Sequence, residues 1–159
     1  FSSFAKMPIP ENEPFELMDL VHKTVRLHEN QENVSISIDS SIQEVFVSGD
    51  NQLMGRIISN IVLNGIQSLN PSKGTVTIKL KFIVKSNKVV LEISDNGIGI
   101  DSSIGNKIFV PNFTTKETGS GIGLAIAKHG IEHAGGKIWF ESKLNEGSTF
   151  YIELPRIMK

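Results

Sequence analysis

Alternation of apolar and polar residues predicts most of the strands of this chain. Val34-Ser-Ile-Ser-Ile38 alternates strictly, and Val45-Phe-Val47 is a shorter run of the same kind. Longer alternating segments cover residues 75–84, 88–94, 137–142 and 148–154. Ser86-Asn87 separates the first two of these and Asn145-Glu146-Gly147 separates the last two, which predicts two β-hairpins.

Apolar residues at helical spacing predict three helices between these strands. The first runs from Phe15 to about Glu32, and the second follows the N-cap residue Asp50 and runs to about Asn70. The third covers residues 121–133 and ends at two glycines. Because the strands form hairpins and not βαβ units, this order predicts an α/β two-layer sandwich. We expect a mixed, mostly antiparallel sheet with helices packed on one face.

Composition narrows the class of protein. The 159 residues are 39% hydrophobic and 21% charged with a net charge of −1, which is typical of one globular domain without a general attraction to nucleic acid. The absence of cysteine excludes disulfides and cysteine nucleophiles. No apolar run reaches the length of a membrane span, so we expect a cytoplasmic domain that contacts neither nucleic acid nor membrane.

The strand over residues 88–94 ends in Asp95-Asn-Gly-Ile-Gly99, which places one carboxylate where the chain turns. The glycines let the backbone turn and leave room for a flat ligand, and the carboxylate can accept a hydrogen bond from an amino group. A tight turn with an Asx cap explains the same residues equally well. Both interpretations stay open on this motif alone.

One side of the second predicted helix carries amides. Asn60, Asn64 and Gln67 form a stripe opposite the apolar side, with Arg56 beside them. An asparagine carbonyl oxygen suits a Mg²⁺ ion that keeps its waters and phosphate oxygens. A polar helix face that hydrogen-bonds to water is the simpler explanation, and the helix alone favours it.

Glycines alternate before the third predicted helix, in Gly119-Ser-Gly-Ile-Gly123-Leu124, which follows Thr114-Thr-Lys116. Exposed N–H groups and the positive end of a helix dipole suit phosphate. The segment is neither a Walker loop nor a dinucleotide fingerprint, because it lacks the Gly-Lys-Ser/Thr ending and a strand that leads directly into it. A flexible surface loop is the alternative. Further along the helix, His129 and His133 lie one turn apart without an evident third ligand, so we expect ordinary helix residues there.

Together these motifs resemble the GHKL ATPases and, within them, the catalytic ATP-binding domain of sensor histidine kinases. Asn60-Ile-Val-Leu-Asn64 is similar to the asparagine box and Asp95-Asn-Gly-Ile-Gly99 to the first glycine box. Phe109-Val-Pro-Asn-Phe-Thr-Thr-Lys116 resembles the phenylalanine box, and Gly119-Ser-Gly-Ile-Gly123 the second glycine box. With the ending over residues 134–155, four boxes stand in the family's order, and the resemblance implies the Bergerat fold.

The resemblance implies which residues contact the nucleotide. Asp95 would accept a hydrogen bond from the adenine amino group, with Thr149 helping through a water, and Asn64 would ligate Mg²⁺. Asn64 and Lys116 would be the catalytic residues. The whole implied set for ATP and Mg²⁺ is Asn60, Asn64, Asp95, Gly97, Gly99, Thr115, Lys116, Gly119, Gly121, Gly123, Leu124 and Thr149. Residues 101–120 would form a mobile lid with few apolar anchors.

The family's phosphoacceptor histidine, which precedes an acidic residue and a nearby proline, is not in this chain. The chain begins at Phe1 without methionine, and residues 1–14 contain three prolines, so we expect a linker there from a missing dimerisation and phosphoacceptor domain. Residues 15–159 would be the catalytic domain. Its partners would be that histidine domain directly and a response regulator indirectly, in a parent protein with or without a membrane anchor.

Three other functions remain as alternatives. A GHKL machine of the chaperone, gyrase or mismatch-repair type would hydrolyse ATP with water, but the phenylalanine box and the short span between the glycine boxes argue against it. An anti-sigma serine kinase is disfavoured by the apparent linker. A non-catalytic binding module is disfavoured by the intact Asn64, Asp95 and glycines.

Overall fold

A seven-stranded mixed sheet forms one layer of the molecule, as described over residues 9–110 and 123–158 by a computed structural model. The strands are β1 (Glu13–Glu16), β2 (Val34–Asp39), β3 (Phe46–Gly49), β4 (Val76–Lys85), β5 (Lys88–Asp95), β6 (Lys137–Lys143) and β7 (Gly147–Ile157). Their order is β1-β3-β7-β5-β4-β2, and β6 also pairs with β7. Only β2 and β4 run parallel among the described pairs, so the sheet is mostly antiparallel.

Three helices form the second layer: α1 (Leu17–Arg26), α2 (Asn51–Gln67) and α3 (Gly123–His133). They cover the face of the sheet that carries its alternate apolar residues, because each strand of a half-covered sheet buries every second side chain. Strands β4, β5 and β7 supply Val76, Ile78, Leu80, Phe82, Val89, Leu91, Ile93, Phe150, Ile152 and Leu154 to this core. The predicted two-layer α/β architecture is confirmed.

Asp50 begins α2 and also holds the chain before β1. Its Oδ1 accepts the N–H of Leu53 at 3.0 Å, as an N-cap does, and its Oδ2 accepts the N–H of Glu11 at 2.9 Å. The hydrogen bonds from Glu11 and then Leu53 hold the pKa of the Asp50 carboxyl below its ordinary value, because they stabilise the charged form. The predicted cap is therefore confirmed.

Several element boundaries differ from the predictions. Residues 13–16 form a strand paired with β3, whereas the sequence predicted an irregular linker to Pro14 and a helix from Phe15. Glu16 then caps α1 by accepting the N–H groups of Met18 and Asp19. The helix ends at Arg26 instead of near residue 32, and α2 ends at Gln67 instead of near residue 70. The division of the chain at residue 14 into a linker and a catalytic domain stays a prediction.

The described half of the predicted lid has apolar anchors, contrary to expectation. A 3-10 helix over Gly105–Phe109 buries Ile108 and Phe109, which are only 9% and 7% exposed. The ring of Phe109 packs edge-on against the ring of Phe140 of β6, and the two ring centroids lie 6.1 Å apart. Residues 101–110 are thus fastened to the sheet.

Within the described residues, the helices are too short or too polar to cross a membrane.

Candidate functional site

Asp95 is the last residue of β5, and its side chain lies on the face of the sheet that the helices cover. Its Oδ1 accepts the N–H of Gly97 at 2.9 Å and the N–H of Ser148 at 3.3 Å, and the hydroxyl of Ser68 lies 3.4 Å away. The bond from Gly97 is the Asx turn that the sequence left open. Ser148 of β7 and Ser68 at the end of α2 also donate to this oxygen. The carboxylate is therefore part of a turn, and its orientation is fixed by the neighbouring elements.

Gly65 lets α2 lie directly against Asp95. A Cβ at this position would stand 2.7 Å from Cδ1 of Ile78, which is a clash, and 3.2 Å from Cβ of Asp95, which is a tight contact. Gly65 is not among the residues predicted for the site, although a glycine inside a helix is a recognised sign of close packing. It brings the backbone of α2 close to the carboxylate.

Protein atoms occupy the space where side chains of Gly97 and Gly99 would stand, so both positions require glycine. Their contact with a nucleotide stays a prediction. A Cβ on Gly97 would lie 1.9 Å from Oγ of Ser68. Gly99 has a φ of +77°, and a Cβ there would lie 2.3 Å from the carbonyl oxygen of Lys143. These residues therefore position the turn by close backbone packing.

Gly147, which sequence analysis did not name as a site residue, packs against Asp95 in the same way. Its φ is +110°, and a Cβ would meet the carbonyl oxygen of Asp95 at 2.0 Å. The turn between β6 and β7 can approach Asp95 only because residue 147 has no side chain.

The asparagine side of α2 faces the start of α3. Asn60 and Asn64 are both half-buried, and a Cβ on Gly123 would stand 3.2 Å from Nδ2 of Asn60. Leu124, the next residue of α3, is half-buried, while Arg56 and Gln67 are exposed. The structure thus places Asn60 of α2 beside Gly123 at the start of α3, and Asn64 lies one turn further along α2.

Thr149 does not belong to this cluster. Its hydroxyl lies 2.8 Å from Oγ of Ser94, on the sheet face away from the helices, because Ser94 and Thr149 are register partners. Neighbouring residues of a strand point to opposite faces, so Ser148 occupies the helix-covered face instead and is only 6% exposed. The structure therefore places Ser148, and not Thr149, beside Asp95. The role of Thr149 through a water stays a prediction.

Four predicted phosphate-binding residues, Thr115, Lys116, Gly119 and Gly121, lie outside the described residues. The part of α3 that follows them begins at Gly123. A helix start carries unpaired N–H groups and the positive end of the helix dipole, so it suits an anion.

The donors near α2 fit a cation that is held partly by its nucleotide. Asn60 and Asn64 offer neutral amide oxygens, which are hard ligands of the kind that Mg²⁺ accepts beside waters and phosphate oxygens. Across residues 9–110 and 123–158 there is no group of three or more His, Cys, Asp or Glu side chains suited to a metal. The rings of His129 and His133 lie 6.3 Å apart, and Nδ1 of His133 is 3.3 Å from the amide of Asn12.

A groove of about 510 Å³ lies between α1 and α2, away from Asp95. Its lining includes Leu20 and Leu27 on the α1 side and Arg56 and Asn60 on the α2 side. Because Asp95 does not border it, the groove is not the space in which that carboxylate would meet a ligand.

Comparison with known proteins relates this geometry to a family. The family described as histidine kinase-, DNA gyrase B- and HSP90-like ATPase matches residues 49–157. Sporulation kinase B of Bacillus subtilis is 28% identical over 98% of this chain, and the chain spans 36% of that relative's length. The catalytic domain of histidine kinase ThkA has a TM-score of 0.81 at 30% identity, with 92% of this chain and 96% of that one covered.

A second structure shows ThkA in complex with the response regulator protein TrrA. It superposes with a TM-score of 0.78 at 27% identity, and the match covers 98% of this chain and 45% of that one. This chain spans less than half the length of these two longer relatives.

Proposed function

The chain belongs to the family of histidine kinase-, DNA gyrase B- and HSP90-like ATPases as the catalytic domain of a sensor histidine kinase, and we propose that it binds Mg-ATP and donates the γ-phosphate to a histidine on a separate domain. That domain would be the dimerisation domain of the same kinase. A response regulator would receive the phosphate afterwards, in the cytoplasm.

The arrangement along α2 carries the proposal. Gly65 packs on Asp95, and Asn60 faces Gly123 at the start of α3. Five residues of helix separate these two contacts, which is a distance of about 7.5 Å along the helix axis. The fixed carboxylate of Asp95 therefore lies near the C-terminal end of α2, and the N-terminus of α3 lies near the middle of α2. A nucleotide, with a purine at one end and phosphates at the other, has this same polarity.

Asp95 would select adenine because a carboxylate accepts hydrogen bonds and cannot donate them. Adenine presents an exocyclic amino group, whereas guanine presents a carbonyl oxygen at the same position of the ring. A carboxylate whose Oδ1 is held by Gly97 and Ser148 cannot turn away to accommodate that oxygen. Rejection of the wrong base would come from this rigidity.

Asn64 would hold Mg²⁺ together with the phosphate oxygens, with Asn60 beside the phosphates. When bound, the ion would neutralise charge on the phosphates and favour their transfer. The chain's own residues would mainly position the donor, through the N–H groups at the start of α3 and through Thr115, Lys116, Gly119 and Gly121. Lys116 would stabilise charge on the transferred group.

Phosphotransfer to a separately prepared histidine domain tests the proposal. The 159-residue chain is mixed with γ-labelled Mg-ATP and with the dimerisation domain of its own parent kinase. We expect acid-labile, base-stable label on a histidine of that domain, dependent on Mg²⁺. A matched acceptor with the histidine replaced by glutamine should take no label.

Two other outcomes would contradict the proposal in different ways. Release of inorganic phosphate without labelled histidine would identify a water-dependent ATPase of the clamp type. Acid-stable label on a serine would identify a serine kinase.

A further inference from the structure

Ser142 of β6 makes a set of contacts that the proposed nucleotide chemistry does not yet use. Its Oγ accepts the N–H of Ile100 at 2.7 Å, donates to the carbonyl oxygen of Gly147 at 3.1 Å, and lies 2.7 Å from Oγ of Ser148. The side chain is half-buried on the helix-covered face of the sheet. One hydroxyl thus meets three separate residues.

Two of these residues contact Asp95, and the third follows the turn that begins there. Gly147 packs on the carbonyl of Asp95, and Ser148 donates its N–H to the Asp95 carboxylate at 3.3 Å. Ile100 follows the glycine turn that begins at Asp95 and leads into residues 101–110. Ser142 therefore links two parts of the chain. One is β7, whose Ser148 donates to the Asp95 carboxylate, and the other is the segment after Asp95, at Ile100.

The contacts of residue 142 require a hydroxyl group, because this group both accepts and donates a hydrogen bond. The hydroxyl oxygen accepts from the Ile100 amide while its single proton serves Gly147 or Ser148. Alanine would leave a sheltered N–H without its acceptor, and the Ser148 hydroxyl would lose a partner. Threonine would retain both functions and suits a strand.

We propose that Ser142 is a positioning residue for nucleotide selection: without contacting the base, it holds Ser148 and the Asp95 turn in the geometry that distinguishes adenine from guanine. The inference rests on the proposed function, since it concerns how the same site chooses its nucleotide. The neighbouring hairpin is already joined by the β6–β7 ladder, so the hydroxyl is not needed to pair these strands.

The ratio of ATP to GTP affinity provides the test, because a purely structural role would leave this ratio unchanged. Affinities of the wild-type chain, Ser142→Ala and Ser142→Thr are measured by calorimetry, with GTP measured by competition. We expect Ser142→Ala to weaken ATP binding about fivefold to tenfold, as loss of one or two neutral hydrogen bonds does, with GTP affinity changed by less than about twofold. Ser142→Thr should bind ATP within about twofold of wild type.

Ser94→Ala is the matched control, because it also removes a serine hydroxyl that bonds to another hydroxyl across two strands. That partner is Thr149, on the opposite face of the same sheet. This variant should leave both affinities unchanged. Circular dichroism and the thermal midpoint establish that each variant is folded at the temperature of the titration.

The outcomes separate the inference from the function on which it rests. If Ser142→Ala binds ATP as wild type does, or loses ATP and GTP affinity in equal measure, the positioning role is overturned while the proposed function stands. If the folded wild-type chain binds no ATP, both fail together.

Discussion

Where β5 ends beside the start of β7, neighbouring residues lie on opposite faces of the sheet and have different surroundings. Strand β5 ends in Ser94 and Asp95, and β7 begins with Gly147, Ser148 and Thr149. Ser94 and Thr149 pair through their hydroxyls on the open face, whereas Asp95 and Ser148 meet on the face that the helices cover. Both pairs are polar and both are hydrogen-bonded, yet only the covered pair lies against the C-terminal end of α2.

The open face shows what polar strand residues do when no helix covers them. Trp139 stacks on Tyr151 with ring centroids 5.1 Å apart, and the Tyr151 hydroxyl donates to Glu141. Trp139 remains 37% exposed. Cross-strand pairs of this kind stabilise a sheet modestly. Our proposal therefore concerns the covered face, whereas the contacts of the open face stabilise the sheet, and variants at matched positions can test this difference.

Gly147→Ala should have the largest effect, because it disturbs the covered pair directly. The new Cβ would collide with the carbonyl of Asp95 at 2.0 Å, in a backbone conformation with φ of +110°. We expect the free energy of unfolding to fall by about 3 kcal/mol and ATP binding to be lost. Urea denaturation and calorimetry measure the two effects.

Gly74→Ala is the control for Gly147→Ala, since Gly74 also has a positive φ but nothing lies within 4 Å of its missing Cβ. It should cost about 1 kcal/mol through backbone strain alone and leave ATP affinity intact. Equal destabilisation by both variants would show that close packing against Asp95 does not matter.

Asp95→Asn should remove nucleotide binding and spare the fold. Asparagine keeps a carbonyl oxygen for the N–H groups of Gly97 and Ser148, but it presents an amino group where the second carboxylate oxygen stood. Two opposed donors replace a charge-assisted bond, so we expect ATP affinity to fall about 100-fold. Calorimetry on the variant, with an unchanged thermal midpoint, checks this; wild-type affinity would refute the adenine role.

Ser148→Ala and Thr149→Ala compare the two faces within one strand. Ser148 lies beside Asp95, so loss of its hydroxyl should weaken ATP binding about threefold to tenfold. Thr149 lies on the open face, and its alanine variant should bind within about twofold of wild type. The reverse order, measured in the same titration, would restore the original assignment of Thr149.

Titration of Tyr151 should have the smallest functional effect. The hydrogen bond to Glu141, followed by burial and nearby negative charge, raises the pKa of Tyr151 to about 12 from an ordinary 10.0. A raised pKa contributes stability that is present below pH 10 and is lost as the pH rises toward 12. Since this is the chain's single tyrosine, near-ultraviolet absorbance reports it alone.

Glu141→Gln should lower the midpoint of that titration toward 10 and leave ATP affinity unchanged at neutral pH. A change in affinity would mean that the open face takes part in nucleotide binding.

Residue patterns predicted the architecture well because alternation and helical spacing are local properties. They located six of the seven strands and all three described helices. Strand β1 was not predicted, because it is short and contains Pro14. It lies at the sheet edge, where the missing N–H of a proline is tolerated. Its existence depends on pairing with β3, which no local pattern records.

The position of Thr149 was predictable from the same alternation that located β7. Phe150, Ile152 and Leu154 are the buried residues of this strand, so Ser148 shares their face and Thr149 does not. A shift of one residue exchanges the two faces of a strand. The function of the glycines was not predictable in this way, because the atoms that fill Gly97 and Gly99 come from Ser68 and Lys143, far away in the chain.

The order of the strands has a consequence for how the protein is made. β7 is the last strand along the chain, yet it pairs with β3, β5 and β6 near the middle of the sheet. During synthesis, Asp95 emerges from the ribosome well before Ser148, the residue that helps to hold it. A stalled or truncated product would therefore carry the carboxylate without its support, and the proposed nucleotide site would be complete only in a chain made through β7.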